Sequence, residues 1–201
     1  MDTAVILAGG KSSRMGRDKL ELAVGAQTLL ESVVSRFGAQ FKEVYLSVAD
    51  AQKYSHVSVR KVVDVFPGAG PMSGLHAALK NLPDDGIFLV AADMHCCCPR
   101  TAKRIIELCG EKSACVIKLS DGRVEPLFAY YKKKLLRHCE EAIQSGDYRM
   151  TKIIMGADTR FTNTSELGSL WDEKMLLNIN YPDDYKELKE KMPELFGKIC
   201  S

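Results

Sequence analysis

Two spacings of apolar residues alternate along the chain. Short continuous runs at residues 4–8, 44–48, 59–63 and 87–92 read as strands buried on both faces. Between them, Leu29, Leu30, Val33, Val34 and Phe37 recur at helical spacing and predict a helix over 28–38. A glycine-rich loop from Gly68 to Gly74 leads into a helix near 75–81, and Ala102, Ile105, Ile106 and Cys109 line one face of another. Runs at 114–119 and 124–130 are joined by Asp121-Gly122, a turn signal that predicts a hairpin. An amphipathic helix follows, with Leu135, Leu136, Cys139 and Ile143 inward and lysines at its start. Short strands at 160–163 and 176–179 and a charged helix from Pro182 complete the pattern. This order predicts a three-layer α/β/α sandwich on a mainly parallel sheet, built as one domain over residues 1–201. The hairpin-bearing half is expected to add an antiparallel strand and one wall of a cleft.

Charge and cysteine content narrow the function classes. A net charge of +2 gives no ground for expecting a nucleic-acid partner, so any cationic surface must be local. The chain begins with a strand pattern rather than a basic, then apolar leader, and no apolar stretch approaches membrane-spanning length; neither a signal peptide nor a membrane span is expected. Seven cysteines at irregular spacing suit reduced thiols and a cytoplasmic protein. Neighbours in Cys96-Cys97-Cys98 point to opposite sides of an extended chain, which does not suit a tetrahedral zinc site.

The first strand runs into Gly9-Gly10, and Lys11, Arg14, Arg17 and Lys19 follow. A P-loop would require a glycine where Val5 stands, and the dinucleotide fingerprint fails on the adjacency of the two glycines. In the second loop, Gly68 and Gly70 are followed by Gly74 one position late, and Pro71 removes a donor. A glycine pair without Cβ atoms still lets successive N–H groups approach phosphate oxygens, and the cations suit several phosphates at once; a solvated basic turn is the alternative. Asp93 ends the fourth strand at the sheet edge where open α/β folds bind ligands, either as a metal ligand or as a helix cap. Asp64 ends the third strand at the same edge, as a ligand contact or as a loop aspartate bonding its own backbone. His76 and His95 lack a second ligand at useful spacing and are given no role. Lys132-Lys133-Lys134 reads as a solvated helix start, or as a face toward an anionic acceptor or partner.

Leu7-Ala8-Gly9-Gly10, followed by Ser13-Arg14-Met15-Gly16 and Asp18-Lys19, resembles the L-A-G-G…R-M-G-x-D-K signature of the nucleotidyltransferases. Within that superfamily the chain is most similar to the molybdenum cofactor guanylyltransferases, also through residues 67–74, Ala92-Asp93-Met94 and Asn178-Ile179-Asn180-Tyr181-Pro182. The resemblance implies a Rossmann-like sheet of the nucleotide-diphospho-sugar transferase type, with a nucleotide-binding half over about 1–95 and an acceptor-binding half over about 96–201. It implies transfer of GMP from GTP to the phosphate of molybdopterin, with pyrophosphate leaving. Arg14, Lys19 and Asp93 would be catalytic, and Asp93 would hold Mg²⁺. Leu7, Ala8, Gly9, Gly10, Lys19, Ser47, Asp64, Gly74 and Asp93 would meet the nucleotide. Asn178, Asn180 and Pro182 would meet the acceptor. Asp64 matches a GTP-contacting position, and a carboxylate can accept both adjacent donors of guanine or bond the ribose. Partners implied are GTP, molybdopterin, and molybdoenzyme apo-proteins or their chaperones.

Three departures from the family pattern stand out. Ser47 replaces a polar amide, Cys96-Cys97-Cys98-Pro99 replaces a more apolar stretch, and Glu125-Pro126 replaces a different polar residue before proline. The competing expectations are a cytidylyl-, adenylyl- or uridylyltransferase acting on another cofactor or a sugar phosphate, and a non-catalytic module that binds nucleotide and delivers cofactor.

Overall fold

The computed structural model describes residues 2–9, 18–177 and Tyr185. Its strands are β1 (Thr3–Leu7), β2 (Ala23–Val24), β3 (Gln27–Thr28), β4 (Glu43–Val48), β5 (Arg60–Val63), β6 (Gly86–Ala91), β7 (Ala114–Lys118), β8 (Val124–Lys132) and β9 (Thr159–Asn163). The helices are α1 (Leu29–Gly38), α2 (Pro71–Asn81), α3 (Pro99–Cys109), α4 (Leu136–Gln144), α5 (Met150–Gly156) and α6 (Thr164–Leu167). Seven strands form one sheet in the order β5-β4-β1-β6-β8-β7-β9, while β2 and β3 make a separate small hairpin. Strand β8 runs antiparallel to both neighbours, and the other pairings in the large sheet are parallel. The expected α/β/α sandwich with an antiparallel strand is therefore present.

Alternation along the strands builds the layers. In β1, Ala4 and Ile6 face a cluster with Leu30, Val33 and Phe37 of α1 and Ala102 and Ile105 of α3. Val5 and Leu7 face the opposite cluster, with Leu75 and Leu79 of α2, Cys139 of α4 and Ile153 of α5. A strand with apolar residues on both faces has nothing polar to turn to water, which is why these strands read as continuous runs.

The helix starts follow from local chemistry. Thr28 Oγ1 accepts the Glu31 N–H (3.2 Å) and the Glu31 carboxylate accepts the Thr28 N–H (2.7 Å), a reciprocal cap on α1. Helix α2 starts at Pro71, four residues before the 75–81 expected from periodicity. Proline is tolerated at a first helical position, because its missing N–H would have no partner within the helix there.

Other differences are also local. Residues 173–176 form a 3₁₀ turn that takes in Leu176, the first residue of the strand expected at 176–179, and Leu177 is in no strand; Asp172 Oδ1 accepts the Lys174 N–H at 2.9 Å and caps the turn. The 178–179 part of that strand and the helix from Pro182 lie outside the described residues. The lysines at 132–134 lead into α4 as expected, with Lys134 exposed, and each is also tied to a carbonyl. Lys132 and Lys134 donate to the carbonyls of Gly110 and Glu111, and Lys133 to that of Leu82, at the C-terminal ends of α3 and α2. Cations there meet the negative end of the helix dipole. Among the described residues no helix is long and apolar enough to cross a membrane.

Candidate functional site

The carboxyl ends of β1, β4, β5 and β6 meet at one edge of the sheet. Hydrogen bonds tie them together past the last regular strand residues: Ala8 N–H to the Ser47 carbonyl (3.0 Å), Ala92 N–H to that of Leu7 (3.0 Å) and Asp64 N–H to that of Val48 (2.9 Å). The segments bearing Ala8, Asp64 and Asp93 are thus held by backbone rather than left to loop flexibility.

Two side-chain pairs stand on this edge. Lys19 Nζ lies 2.6 Å from Asp93 Oδ2, although the residues are far apart in sequence, and both side chains are largely buried. Ser47 Oγ donates to Asp64 Oδ1 at 3.0 Å. A Cβ placed on Gly9 would stand 3.8 Å from Asp64 Oδ2, so the glycine backbone passes close to that carboxylate. Burial pushes the Asp64 carboxyl above the usual aspartate range, with the Ser47 hydroxyl acting the other way.

Neither aspartate spends its side chain on the cap of α3 or, in the Ser47 bond, on its own backbone. The cap of α3 is Cys98, five residues beyond Asp93, and the Asp93 side chain is turned to Lys19 instead. Asp64 bonds the Ser47 side chain of a neighbouring strand. Ser47, noted as a departure from the family pattern, thus orients the carboxylate.

Gly74 is buried one turn into α2, where a Cβ would fall 2.4 Å from Leu7 Cδ2 and 2.5 Å from Ser47 Oγ. Its missing side chain lets the helix press against the ends of β1 and β4. Leu7, Ala8, Gly9, Lys19, Ser47, Asp64, Gly74 and Asp93 are in this way gathered at one edge. Gly10, Arg14, Asn178, Asn180 and Pro182 lie outside the described residues.

Glu125 joins this group, and sequence reasoning had not counted it as a site residue. The register of β7 against β8 jumps from Val116↔Ala129 to Ile117↔Glu125, so residues 126–128 form a bulge on β8. The bulge is braced by the Tyr131 hydroxyl, which donates to the Pro126 carbonyl at 2.8 Å, and by the Leu127 N–H on Glu125 Oε1 at 2.8 Å. Bulges re-aim side chains at sheet edges. Burial pushes the Glu125 carboxyl up, and the nearby Asp93 charge adds to this, whereas the Leu127 N–H opposes it. An acid before proline inside an apolar strand was the available signal.

The histidines have structural surroundings. His95 is buried, and burial with the adjacent Arg36 charge lowers its imidazole to about 3. Arg36 donates to the carbonyls of His95 and Cys97, holding the chain that follows Asp93. His76 is buried in α2 with its ring edge-on to Phe66, and its Nε2 is 3.8 Å from Glu140 Oε1, beyond hydrogen-bond reach. The three adjacent cysteines differ: Cys97 is buried with its thiol on the Met175 carbonyl, Cys98 caps α3, and Cys96 is half-buried.

As to metals, no group of three or more His, Cys, Asp or Glu among the described residues is arranged to hold an ion. Asp93 supplies a hard carboxylate oxygen beside a lysine suited to phosphate. That donor set fits a magnesium-like ion, which takes one or two carboxylates and completes its shell with substrate phosphates and water.

A family profile described as the MobA-like NTP transferase domain matches residues 4–160. A probable molybdenum cofactor guanylyltransferase from Pelotomaculum thermopropionicum is 32% identical over 90% of this chain and 89% of its own. Its counterpart from Aquifex aeolicus is 30% identical over 94% and 90%. The crystal structure of molybdopterin-guanine dinucleotide biosynthesis protein A from Archaeoglobus fulgidus superposes with a TM-score of 0.82 at 24% identity, covering 96% of this chain and 99% of that one, a likeness of fold. With a matching profile over residues 4–160 and relatives at 30–32% identity over most of its length, the chain belongs to the MobA-like NTP transferases and is a nucleotidyltransferase.

Proposed function

We propose that this enzyme transfers GMP from GTP to the terminal phosphate of molybdopterin, forming the guanine dinucleotide cofactor and pyrophosphate. The observation that carries the reading is the pairing of Lys19 with Asp93 beside Ser47 and Asp64 at one sheet edge. The names of the relatives support the choice of substrates.

In-line attack by an acceptor phosphate oxygen on the α-phosphorus needs no strong base, because the attacking oxygen is already ionised. It needs two anions held together, so alignment and neutralisation supply most of the catalysis. The N–H groups from Ala8 to Gly10 would cradle phosphate oxygens, with Leu7 at the strand end beneath them. Lys19 and Arg14 would neutralise the charge that builds on the departing pyrophosphate. Asp64, oriented by Ser47, would accept the adjacent donors of guanine or bond the ribose. Gly74 would serve by letting α2 approach the strand ends. Mg²⁺, held by Asp93, would supply further neutralisation at the transferred phosphoryl group.

Residues 1–95 would form the nucleotide half and 96–201 the acceptor half. In the latter, Asn178, Asn180 and Pro182 would meet the pterin, and Glu125 would face the acceptor side beside Asp93. The enzyme would work in the cytoplasm and pass its product to molybdoenzyme apo-proteins or their chaperones.

Pyrophosphate release, measured with each of the four NTPs with and without molybdopterin, tests the proposal. Release that requires GTP, Mg²⁺ and molybdopterin together is expected. Equal turnover with CTP, or turnover on a sugar phosphate alone, would overturn it.

A further inference from the structure

The loop between β4 and β5 grips the segment that carries Lys19. Tyr54, 5% exposed, is the non-glycine residue with a positive φ (55°) among the described residues. Aromatic residues are rarely found in that region, and they persist there when their surroundings over-determine the conformation. The Tyr54 hydroxyl donates to Asp18 Oδ2 at 2.7 Å. Lys53 Nζ reaches the same oxygen at 3.1 Å while lying 4.7 Å from the centre of the Tyr54 ring. His56 Nε2 is 3.4 Å from Glu21 Oε2.

Asp18 passes this grip to the backbone. Its Oδ1 accepts the Leu20 N–H at 3.1 Å, capping the 3₁₀ turn Lys19–Glu21, which closes with the Leu22 N–H on the Lys19 carbonyl at 3.2 Å. A single turn gains little from its own hydrogen bonds, so its place depends on what holds it from outside. The first residue of that turn is Lys19, whose ammonium meets Asp93 at 2.6 Å.

We propose that Tyr54 is a positioning residue: through Asp18 it fixes the turn bearing Lys19, and so sets where the Lys19 ammonium stands relative to Asp93 and the nucleotide phosphates. The inference rests on the role of Lys19 given above. A lysine stem is long and flexible, so the useful position of its ammonium depends on where its backbone is anchored. A displacement of about 1 Å at a reacting centre can cost up to roughly a hundredfold in rate. The ionisation states suit the task. Burial acts against the Asp18 charge, but donors from Tyr54, Leu20 and Lys53 outweigh it and hold the carboxyl below its ordinary range. Burial and the Asp18 carboxylate push the Tyr54 phenol up, so it remains a donor.

Tyr54→Phe keeps the ring and removes the donor. Hydrogen exchange at the Leu20 and Leu22 amides reads the clamp itself, and exchange at least several-fold faster than wild type is expected; unchanged exchange overturns the proposal. With the clamp loosened, kcat/KM for GTP counted per folded molecule, with the folded fraction taken from a urea melt, should fall about tenfold while the KM for molybdopterin stays the same; loss of folded enzyme alone would leave the per-molecule value unchanged. In a Lys19→Ala background, Tyr54→Phe should cause no further loss. An equal loss in both backgrounds shows that Tyr54 does not act through Lys19 and overturns the proposal, as does wild-type use of GTP by Tyr54→Phe when Lys19→Ala is impaired. Faster exchange with wild-type turnover in both single variants would support the clamp and overturn the catalytic role of Lys19.

Discussion

Gly74→Ala adds one methyl group where α2 touches the ends of β1 and β4, and the structure sets its cost. The new carbon would stand 2.4 Å from Leu7 Cδ2 and 2.5 Å from Ser47 Oγ, each about 1 Å inside ordinary contact. Neither neighbour yields freely: Leu7 is packed in the core under α2, and Ser47 Oγ is committed to Asp64. With two contacts this short, overpacking falls in the upper part of its usual range, about 2–3 kcal/mol, and alanine returns about 1 kcal/mol of helix preference, leaving a net loss of about 1–2 kcal/mol. For a chain of this size that lowers Tm by about 2–8 °C. Pushing Ser47 Oγ away also releases Asp64, so GTP binding should weaken several-fold. Urea melts and calorimetric titration with Mg·GTP measure the two effects. Adding Ser47→Ala removes one of the two clashes, so the double variant should lose less stability than the sum of the single ones. Wild-type stability in Gly74→Ala, or strict additivity in the double variant, would refute the steric reasoning.

Asp93→Asn keeps the shape but removes the charge, and should lower turnover by roughly a hundredfold or more, the scale of a strong electrostatic contact; near wild-type turnover per folded molecule would rule out a role in the chemistry. Asp64→Asn should raise Tm at neutral pH while weakening GTP binding. The folded Asp64 carboxyl lies above its ordinary value of 3.8 because of burial, so its ionisation costs stability at neutral pH, and that cost fades as pH falls through the raised value toward 3.8. The Tm advantage of the variant should therefore shrink between neutral and acid pH; an advantage that grows in acid contradicts the sign. Asn180→Ala should raise the KM for molybdopterin and leave GTP affinity near wild type, and titration of each substrate separately would expose the reverse pattern.

Periodicity along the chain was enough to give the layers and most of their elements. Helix α1 and the turn at Asp121-Gly122 depend on interactions within a few residues, which local spacing reports; β1 was legible because burial on both faces leaves a continuous apolar run, although its partners β4 and β6 lie far along the chain. The glycine pair, Asp64 and Asp93 stood out as candidates because charge and glycine at strand ends have few uses other than ligands or caps, and Lys19 because it belongs to a cluster of cations after the glycines. Which side chains meet was not legible. The 2.6 Å contact of Lys19 with Asp93, the Ser47 hydroxyl on Asp64 and the closeness of Glu125 to Asp93 join segments 74, 17 and 32 positions apart. Those distances follow from crossover connections and from the bulge on β8, and a one-dimensional pattern carries no record of either. The same limit explains Leu176, expected to open a strand and instead drawn into the turn that Asp172 caps. Tyr54 shows the division most clearly. Its side chain is an ordinary aromatic in a loop until the fold brings Asp18 beneath it, because burial and partner choice are properties of the packed chain.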